Sequence, residues 1–304
     1  GYRPKVGALD AVDKLTVKLQ FGAYNFVVEA DIQSYFDNLE HEWLLRMLEE
    51  RIADQRLLQL IQKWLKAGVL DTDGQVLHPT AGTPQGGVIS PILANVYLHY
   101  ALDVWFHQVV RPSCKGEACL IRYADDFVAA FENQSEAERF YKALGQRLGK
   151  FGLKLAADKT RIIPFDRAQS QTGFDFLGFE FRWGKDRAGK PHLERRTAPK
   201  KLRKSIQSFS EWSRQNRNLR LPNLFRQLNA KLRGYYNYYG IYGNGRSLNR
   251  FFQRVTEILY KWLNRRSQRH SFNWDSFKQL LDRFKLERPH IKKRPKTQAA
   301  KGWT

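Results

Sequence analysis

Two adjacent acids interrupt an otherwise apolar stretch, Ala118-Cys119-Leu120-Ile121-Arg122-Tyr123-Ala124-Asp125-Asp126-Phe127-Val128-Ala129-Ala130-Phe131. A run of this composition reads as two short strands around a tight turn, and the turn falls on Asp125-Asp126. Asp31 closes a second such run, Val27-Val28-Glu29-Ala30-Asp31-Ile32. A carboxylate at the end of a buried strand is costly unless its charge is compensated. Three of them brought together repel one another without a cation. Hard oxygen ligands from two separate strands suit a pair of divalent ions, one to lower the pKa of an attacking hydroxyl and one to hold a triphosphate and its leaving group. An Asp-Asp pair by itself reads as an ordinary turn. The apolar flanks and the upstream Asp31 favour the metal reading.

The chain around these acids has mixed periodicity. Helical spacing covers residues 7–20, a stretch from about Asn38 (as N-cap) through Ile52, and another through Leu57, Leu60, Ile61 and Trp64 that stops near Gly68. Asp71-Thr72-Asp73-Gly74 reads as a hairpin tip. Gly82 to Pro91 is a glycine- and proline-rich loop, with a helix from Pro91 to about Val110 and another over 135–151. Phe174, Phe176, Phe179 and Phe181 alternate on either side of Gly178. These elements predict an α+β domain built on an antiparallel sheet with packed helices.

Charge divides the chain. Residues 1–184 hold 21 Lys and Arg against 23 Asp and Glu, a net of −2, whereas residues 185–304 hold 31 against 7, a net of +24. Such an excess on one side of a boundary predicts a near-neutral module followed by one that faces a polyanion. Residues 185–199 read as a charged linker. Beyond it, stripes at Leu202/Ile206/Phe209/Trp212, Leu221/Leu224/Leu228/Leu232, Phe251/Val255/Leu259/Trp262 and Phe272/Phe277/Leu281 predict a helical bundle with a basic exterior. The tail after Leu286 is expected to be extended. Two cysteines, Cys114 and Cys119, exclude a disulfide scaffold and a Cys-rich zinc module. Without an 18-residue apolar run or a signal-type start, neither membrane insertion nor secretion is expected, and the location is expected to be cytoplasmic. The opening Gly1-Tyr2-Arg3-Pro4 lacks Met and reads as a cut into a longer polypeptide.

Tyr123-Ala124-Asp125-Asp126 resembles the signature of reverse transcriptases. Several further segments resemble the same family: Gly1-Tyr2-Arg3-Pro4, Ala30-Asp31-Ile32-Gln33-Ser34-Tyr35-Phe36-Asp37, the loop Gly82-Thr83-Pro84-Gln85-Gly86-Gly87-Val88-Ile89-Ser90-Pro91, Gly152-Leu153 with Lys159-Thr160, and Phe176-Leu177-Gly178-Phe179. Leu232-Arg233-Gly234-Tyr235-Tyr236-Asn237-Tyr238-Tyr239 is similar to the thumb and maturase domain of the group II intron-encoded branch. The resemblance implies a right-hand polymerase. Residues 1–26 would be the C-terminal part of the fingers, 27–184 the palm, 200–288 the helical thumb/maturase domain and 289–304 a basic tail. Basic finger residues that grip the triphosphate would lie upstream of Gly1, and Lys5-Val6-Gly7-Ala8 departs from the family's usual polar run.

What the resemblance implies for the site is specific. Asp31, Asp125 and Asp126 would be the catalytic acids, and with Ile32 they would bind two Mg²⁺, for which Mn²⁺ can substitute. Phe36 would lie beneath the incoming sugar and select deoxynucleotides by shape, Gln85 and Gly86 beside the nascent base pair, and Lys159 on the nucleotide side of the palm. The activity implied is RNA-directed DNA synthesis on an RNA template with a DNA or RNA primer, with group II intron RNA as a further partner in splicing and mobility. A non-catalytic RNA-binding splicing cofactor and a host-adopted reverse transcriptase of defence or repair are the alternatives. Arg3 and Tyr123 are candidate nucleic-acid contacts, as are Arg233, Tyr235 and Tyr236, because rings interleaved with guanidiniums suit unpaired RNA. Some of these tyrosines can equally face a bundle core. Arg246, Arg250, Arg254, Lys261, Arg265 and Arg266 are candidate phosphate contacts. Arg122 can support the sheet or touch a nucleic-acid backbone, and both readings stay open.

Overall fold

The computed structural model describes residues 1–66, 69–70, 76–77, 81–83, 87–168, 172–266 and 271–292. Helix α1 (Ala8–Phe21) leads into strand β1 (Phe26–Ala30), helices α2 (His41–Glu49) and α3 (Gln55–Lys66), the short strands β2 (Val69–Leu70) and β3 (Val76–Leu77), and α4 (Ser90–Leu98). Pro91, just inside α4, suits the first turn, where its missing N–H goes unused. The helix does not continue to Val110 in α-geometry as the periodicity predicts. His99–Val104 and Phe106–Val110 are π-helical, and α5 (Arg111–Ser113) closes the segment. Arg147 donates to the carbonyls of Ala101 and Tyr100, at 3.0 and 3.1 Å, within this loosened stretch. π-turns of this kind concentrate at functional positions.

Strands β4 (Ala118–Tyr123) and β5 (Asp126–Phe131) form the expected hairpin, and α6 (Gln134–Gly149) follows it. A strand that the sequence did not signal, β6 (Arg161–Pro164), completes a four-stranded antiparallel sheet of order β4-β5-β1-β6. It is only four residues long, too short for alternation to be recognised. Strand β5 is paired on both edges and buried from Phe127 to Phe131. Val28, Ala30, Phe127, Ala129 and Phe131 join a core with Phe140, Leu144 and Leu148 of α6 and with Tyr97, Leu102 and Phe106. The period-2 pattern of the strands thereby meets the i, i+4, i+8 row of a helix.

A three-stranded sheet of order β7-β8-β9 contains β7 (Gly173–Phe176), β8 (Phe179–Lys185) and β9 (Pro191–Thr197). The expected linker over 185–199 is thus corrected: most of it is β9 and the hairpin turn before it. Charge misled the reading, because the exposed face of an edge strand can be as basic as a loop while Leu193 and Thr197 point inward. Helices α7 (Pro199–Asn216), α8 (Leu221–Tyr239), α9 (Gly245–Leu263) and α10 (Trp274–Arg283) follow, so the expected α+β part gives way to a helical part. The chain divides into two compact units, one of Gly1–Leu177 with Arg182–Leu193, the other of Gly178–Phe181 with Glu194–Thr304. In the second unit Leu202, Phe209, Leu224, Leu228, Leu232, Phe251, Val255, Leu259 and Phe277 form the core. The α9 stripe ends in Leu263 rather than the expected Trp262, because a strict i+4 row carries through residues 251, 255, 259 and 263. No helix among the described residues is long and apolar enough to cross a membrane.

Phe131 is fully buried, with its ring 6.2 Å from Phe106 and 5.1 Å from Phe140. Phe131→Ala should lower unfolding stability by about 3–5 kcal/mol. Phe21→Ala, at an 81% exposed position, should change it by no more than about 0.5 kcal/mol. Urea unfolding followed by circular dichroism measures both.

Candidate functional site

The candidate site sits where β1 and β4 end and β5 begins. Phe26 pairs with Phe131 and Ala30 with Phe127. Asp31 follows Ala30 and Asp126 precedes Phe127, so the two acids flank the last pair of the register. Tyr123 pairs with Asp126 across the hairpin, leaving Ala124 and Asp125 as its two-residue turn. Ala124 adopts φ +58°, a left-handed conformation that costs a residue with a Cβ about 1–2 kcal/mol. Asp126 is exposed, whereas Asp31, Asp125 and Tyr123 are half-buried.

The chain after Asp31 folds back immediately. The amide of Gln33 donates to the Lys154 carbonyl at 2.8 Å, and that of Ala156 to the Asp31 carbonyl at 2.9 Å. Ile32 is 4% exposed, so only its main chain can face a ligand. Tyr35–Asp37 form a 3₁₀ turn. The expected N-cap, Asn38, instead closes this turn by donating to the carbonyls of Gln33 and Ser34, and α2 starts three residues later. Phe36 is half-buried beside Tyr35. Both line a small depression with Tyr2, Asn95, Ala124 and Asp125. Burial raises the Tyr35 hydroxyl well above its usual range, and it donates to the Ala94 carbonyl.

The start of the glycine-rich loop is tied to the Phe36 turn. Thr83 N–H donates to the Phe36 carbonyl at 2.9 Å and Gly82 N–H to the Leu39 carbonyl at 2.8 Å. Gly82 has φ +88°, and a Cβ there would lie 2.8 Å from the Asp37 carbonyl oxygen, so the position demands glycine. The expected sites Gln85 and Gly86 lie outside the described residues.

Lys159 is exposed, and its ammonium donates to Asp31 Oδ2 at 2.8 Å. That hydrogen bond raises the Lys159 pKa. Among the described residues no group of three or more His, Cys, Asp or Glu side chains converges on a metal position. The acids at this end of the sheet nevertheless offer only hard oxygen donors, which suit Mg²⁺ or Mn²⁺ and not a soft metal. A cation, the Lys159 ammonium, already sits against Asp31. The donor set therefore fits a divalent ion.

The second unit separates the basic and aromatic candidates. Tyr236 is fully buried, and the Tyr235 ring stacks on Phe251 at 3.8 Å. Expected as a stacking surface for RNA, Tyr236 is corrected to a core residue: four tyrosines within five helical positions cannot all face outward when the i+4 row Leu228/Leu232/Tyr236 is the buried one. Burial pushes the hydroxyls of Tyr235 and Tyr236 above their usual range. Arg246, Arg250, Arg254, Lys261 and Arg265 are exposed, on the side of α9 or its end away from the buried row. Arg254 pairs with Glu257 at 2.6 Å and Arg233 with Glu287 at 3.5 Å. Lys261 and Arg265 lie over the Trp262 ring at 5.4 and 5.7 Å. Arg266 is committed elsewhere: its guanidinium donates to the carbonyls of Arg217 and Leu219 and ties two segments of the bundle. In the first unit Arg3 is exposed and bridges to Val6.

Residues 1–181 match the family model described as reverse transcriptase (RNA-dependent DNA polymerase), and residues 200–280 match the group II intron, maturase-specific domain. The chain belongs to the group II intron-encoded reverse transcriptase/maturase family. The group II intron-encoded protein LtrA of Lactococcus lactis is 43% identical over 99 residues, which cover 33% of this chain and 16% of that protein. Protein YkfC of Escherichia coli is 34% identical over 211 residues, covering 59% of this chain and 53% of that protein. The chain thus spans about half the length of one relative and far less of the other. A structure of telomerase from Candida albicans with a fragment of telomeric RNA aligns at TM-score 0.47 and 15% identity, over 91% of this chain and 49% of that one.

One network at the site was not legible in the sequence. Arg122, left between two readings, forks onto Asp103 in the π-helical segment. Nothing in a helical pattern signals that an aspartate nineteen positions upstream will meet it.

The buried Tyr236 hydroxyl has no hydrogen-bond partner among the described residues. Removing it should relieve an unsatisfied polar group and stabilise the fold by about 1 kcal/mol or more. Tyr236→Phe should therefore raise the melting temperature and leave RNA affinity unchanged. Arg250→Ala should weaken RNA binding and flatten its salt dependence. Calorimetry and filter binding at several salt concentrations check the pair.

Proposed function

We propose that this chain is an RNA-directed DNA polymerase whose basic helical unit also holds group II intron RNA and assists its splicing and mobility. The observation that best supports the reading is the β1–β5 register, whose last pair, Ala30 and Phe127, is followed by Asp31 on one strand and preceded by Asp126 on the other, next to the Asp125 turn. Family membership supports the same activity, and the net of +24 in residues 185–304 supports a polyanionic partner.

Asp31, Asp125 and Asp126, with the main chain of Ile32, hold two Mg²⁺ in this reading. When bound, the ions lower the pKa of the primer 3′-hydroxyl and neutralise the triphosphate. Lys159, whose ammonium donates to Asp31 Oδ2, would serve the nucleotide's phosphates. Phe36 forms the floor under the sugar, where a 2′-hydroxyl would clash. The primer 3′-oxygen bonds to the α-phosphorus, the bond from that phosphorus to the bridging oxygen breaks, and pyrophosphate leaves. Positioning and charge neutralisation carry the step, so no protein nucleophile is used.

Primer extension on a defined RNA template with deoxynucleotides and Mg²⁺ tests the reading. Asp126→Ala should abolish extension while RNA affinity stays within about twofold, since an acid contributes nothing attractive to phosphate binding. RNA binding without extension by the unaltered chain, in Mg²⁺ and in Mn²⁺ alike, would make it a non-catalytic RNA-binding cofactor. Phe36→Ala should raise ribonucleotide incorporation relative to deoxynucleotide by roughly tenfold or more, the scale at which pocket shape discriminates. Unchanged sugar selectivity in competition assays would remove Phe36 from the role.

A further inference from the structure

We propose that Arg122 and Asp103 form a positioning pair that imposes the conformation of the Ala124-Asp125 turn and so aims the site's acids. The inference rests on the polymerase reading above. It concerns residues that the site chemistry leaves unassigned.

Arg122 is the residue before Tyr123, and its side chain is 8% exposed. Nε donates to Asp103 Oδ1 at 2.7 Å and Nη2 to Asp103 Oδ2 at 2.5 Å, a two-point fork that fixes the plane of the guanidinium. The remaining nitrogen, Nη1, is thereby aimed at two further acceptors: Asn95 Oδ1 at 2.9 Å and the carbonyl of Ala124 at 2.8 Å. Ala124 is the left-handed residue of the turn. A two-residue hairpin turn with positive φ favours Gly or Asn, and this chain places Ala there, so the conformation needs support from outside the turn. The Arg122 hydrogen bond to its carbonyl supplies it.

Asp103 comes from the π-helical segment His99–Val104, whose carbonyls at Tyr100 and Ala101 are taken by Arg147. The wider i→i+5 turn rotates the following side chains relative to an α-helix, which gives the altered helix a purpose: it delivers Asp103 to Arg122. Burial alone would raise the Asp103 carboxyl. The hydrogen bonds from Arg122 and His99 outweigh it and hold the pKa below the usual range, so the partner stays charged. Because Asp103 neutralises the guanidinium, the pair presents little net charge to the neighbouring acids. Its contribution is geometric. Arg122 and Asp103 touch no reacting atom and are positioning residues.

The test uses three substitutions in the full chain. Arg122→Lys keeps the charge but cannot fork onto Asp103 and reach Ala124 as well. It should lower kcat for primer extension roughly 10- to 100-fold, the loss expected for misplacement by about 1 Å. It should also shift metal activation to higher Mg²⁺, with RNA affinity within about twofold, because the basic helical unit and not the turn holds the RNA. Asp103→Asn should give the same signature in milder form. Ala124→Gly adopts the left-handed conformation unaided. Placed in the Arg122→Lys background, it should recover about tenfold of the lost rate, as expected if the pair acts through that backbone. Mn²⁺ affinity of the chain without substrate, read by electron paramagnetic resonance, should fall in Arg122→Lys and recover with Ala124→Gly. This readout needs no turnover. If the unaltered chain does not extend primers, the polymerase reading fails while the Mn²⁺ series still decides the positioning role. Wild-type kcat and metal dependence in Arg122→Lys would overturn the proposal. So would a loss that Ala124→Gly leaves untouched.

Discussion

Strand β5 hydrogen-bonds on both edges and is buried on both faces, so its register against β1 can slip only by exchanging core side chains for surface ones. That constraint decides where the acids stand. With Val28 opposite Ala129 and Ala30 opposite Phe127, Asp31 and Asp126 are the residues that flank the last pair of the two strands. The Lys159 ammonium sits against Asp31 at this end of the sheet.

The rest of the first unit converges on that end of the sheet. The 3₁₀ turn after Asp31 carries Phe36 beside the hairpin turn, and its carbonyls anchor the start of the glycine-rich loop. The π-helical run supplies Asp103, and through Arg122 it reaches Ala124, one of the non-glycine residues with a left-handed backbone. The part-buried Arg122–Asp103 pair costs desolvation and, in the proposed reading, gives geometry in return.

The second unit follows a different logic. Its interior is an aliphatic and aromatic row at i, i+4 spacing, and its basic residues project from the other side. Even there the cations are not interchangeable. Arg266 binds main-chain carbonyls and Arg254 pairs with Glu257, while Arg246 and Arg250 are exposed. A phosphate backbone would meet a subset of the charges that composition counts.

The sequence by itself determined the α+β part followed by helices, the hairpin with acids at its turn, the upstream Asp31 and the concentration of basic charge after residue 184. Each is a local pattern: period-2 or helical spacing, a turn, a charge tally. Tertiary structure alone decided which tyrosines of the α8 cluster are buried, that residues 191–197 form a strand, that a four-residue strand finishes the central sheet, and that Arg122 answers to Asp103. These depend on which face of an element meets another, and on partners far apart in the chain. A side chain's own neighbours in sequence carry no record of either, because burial and hydrogen bonding are settled only when the faces meet.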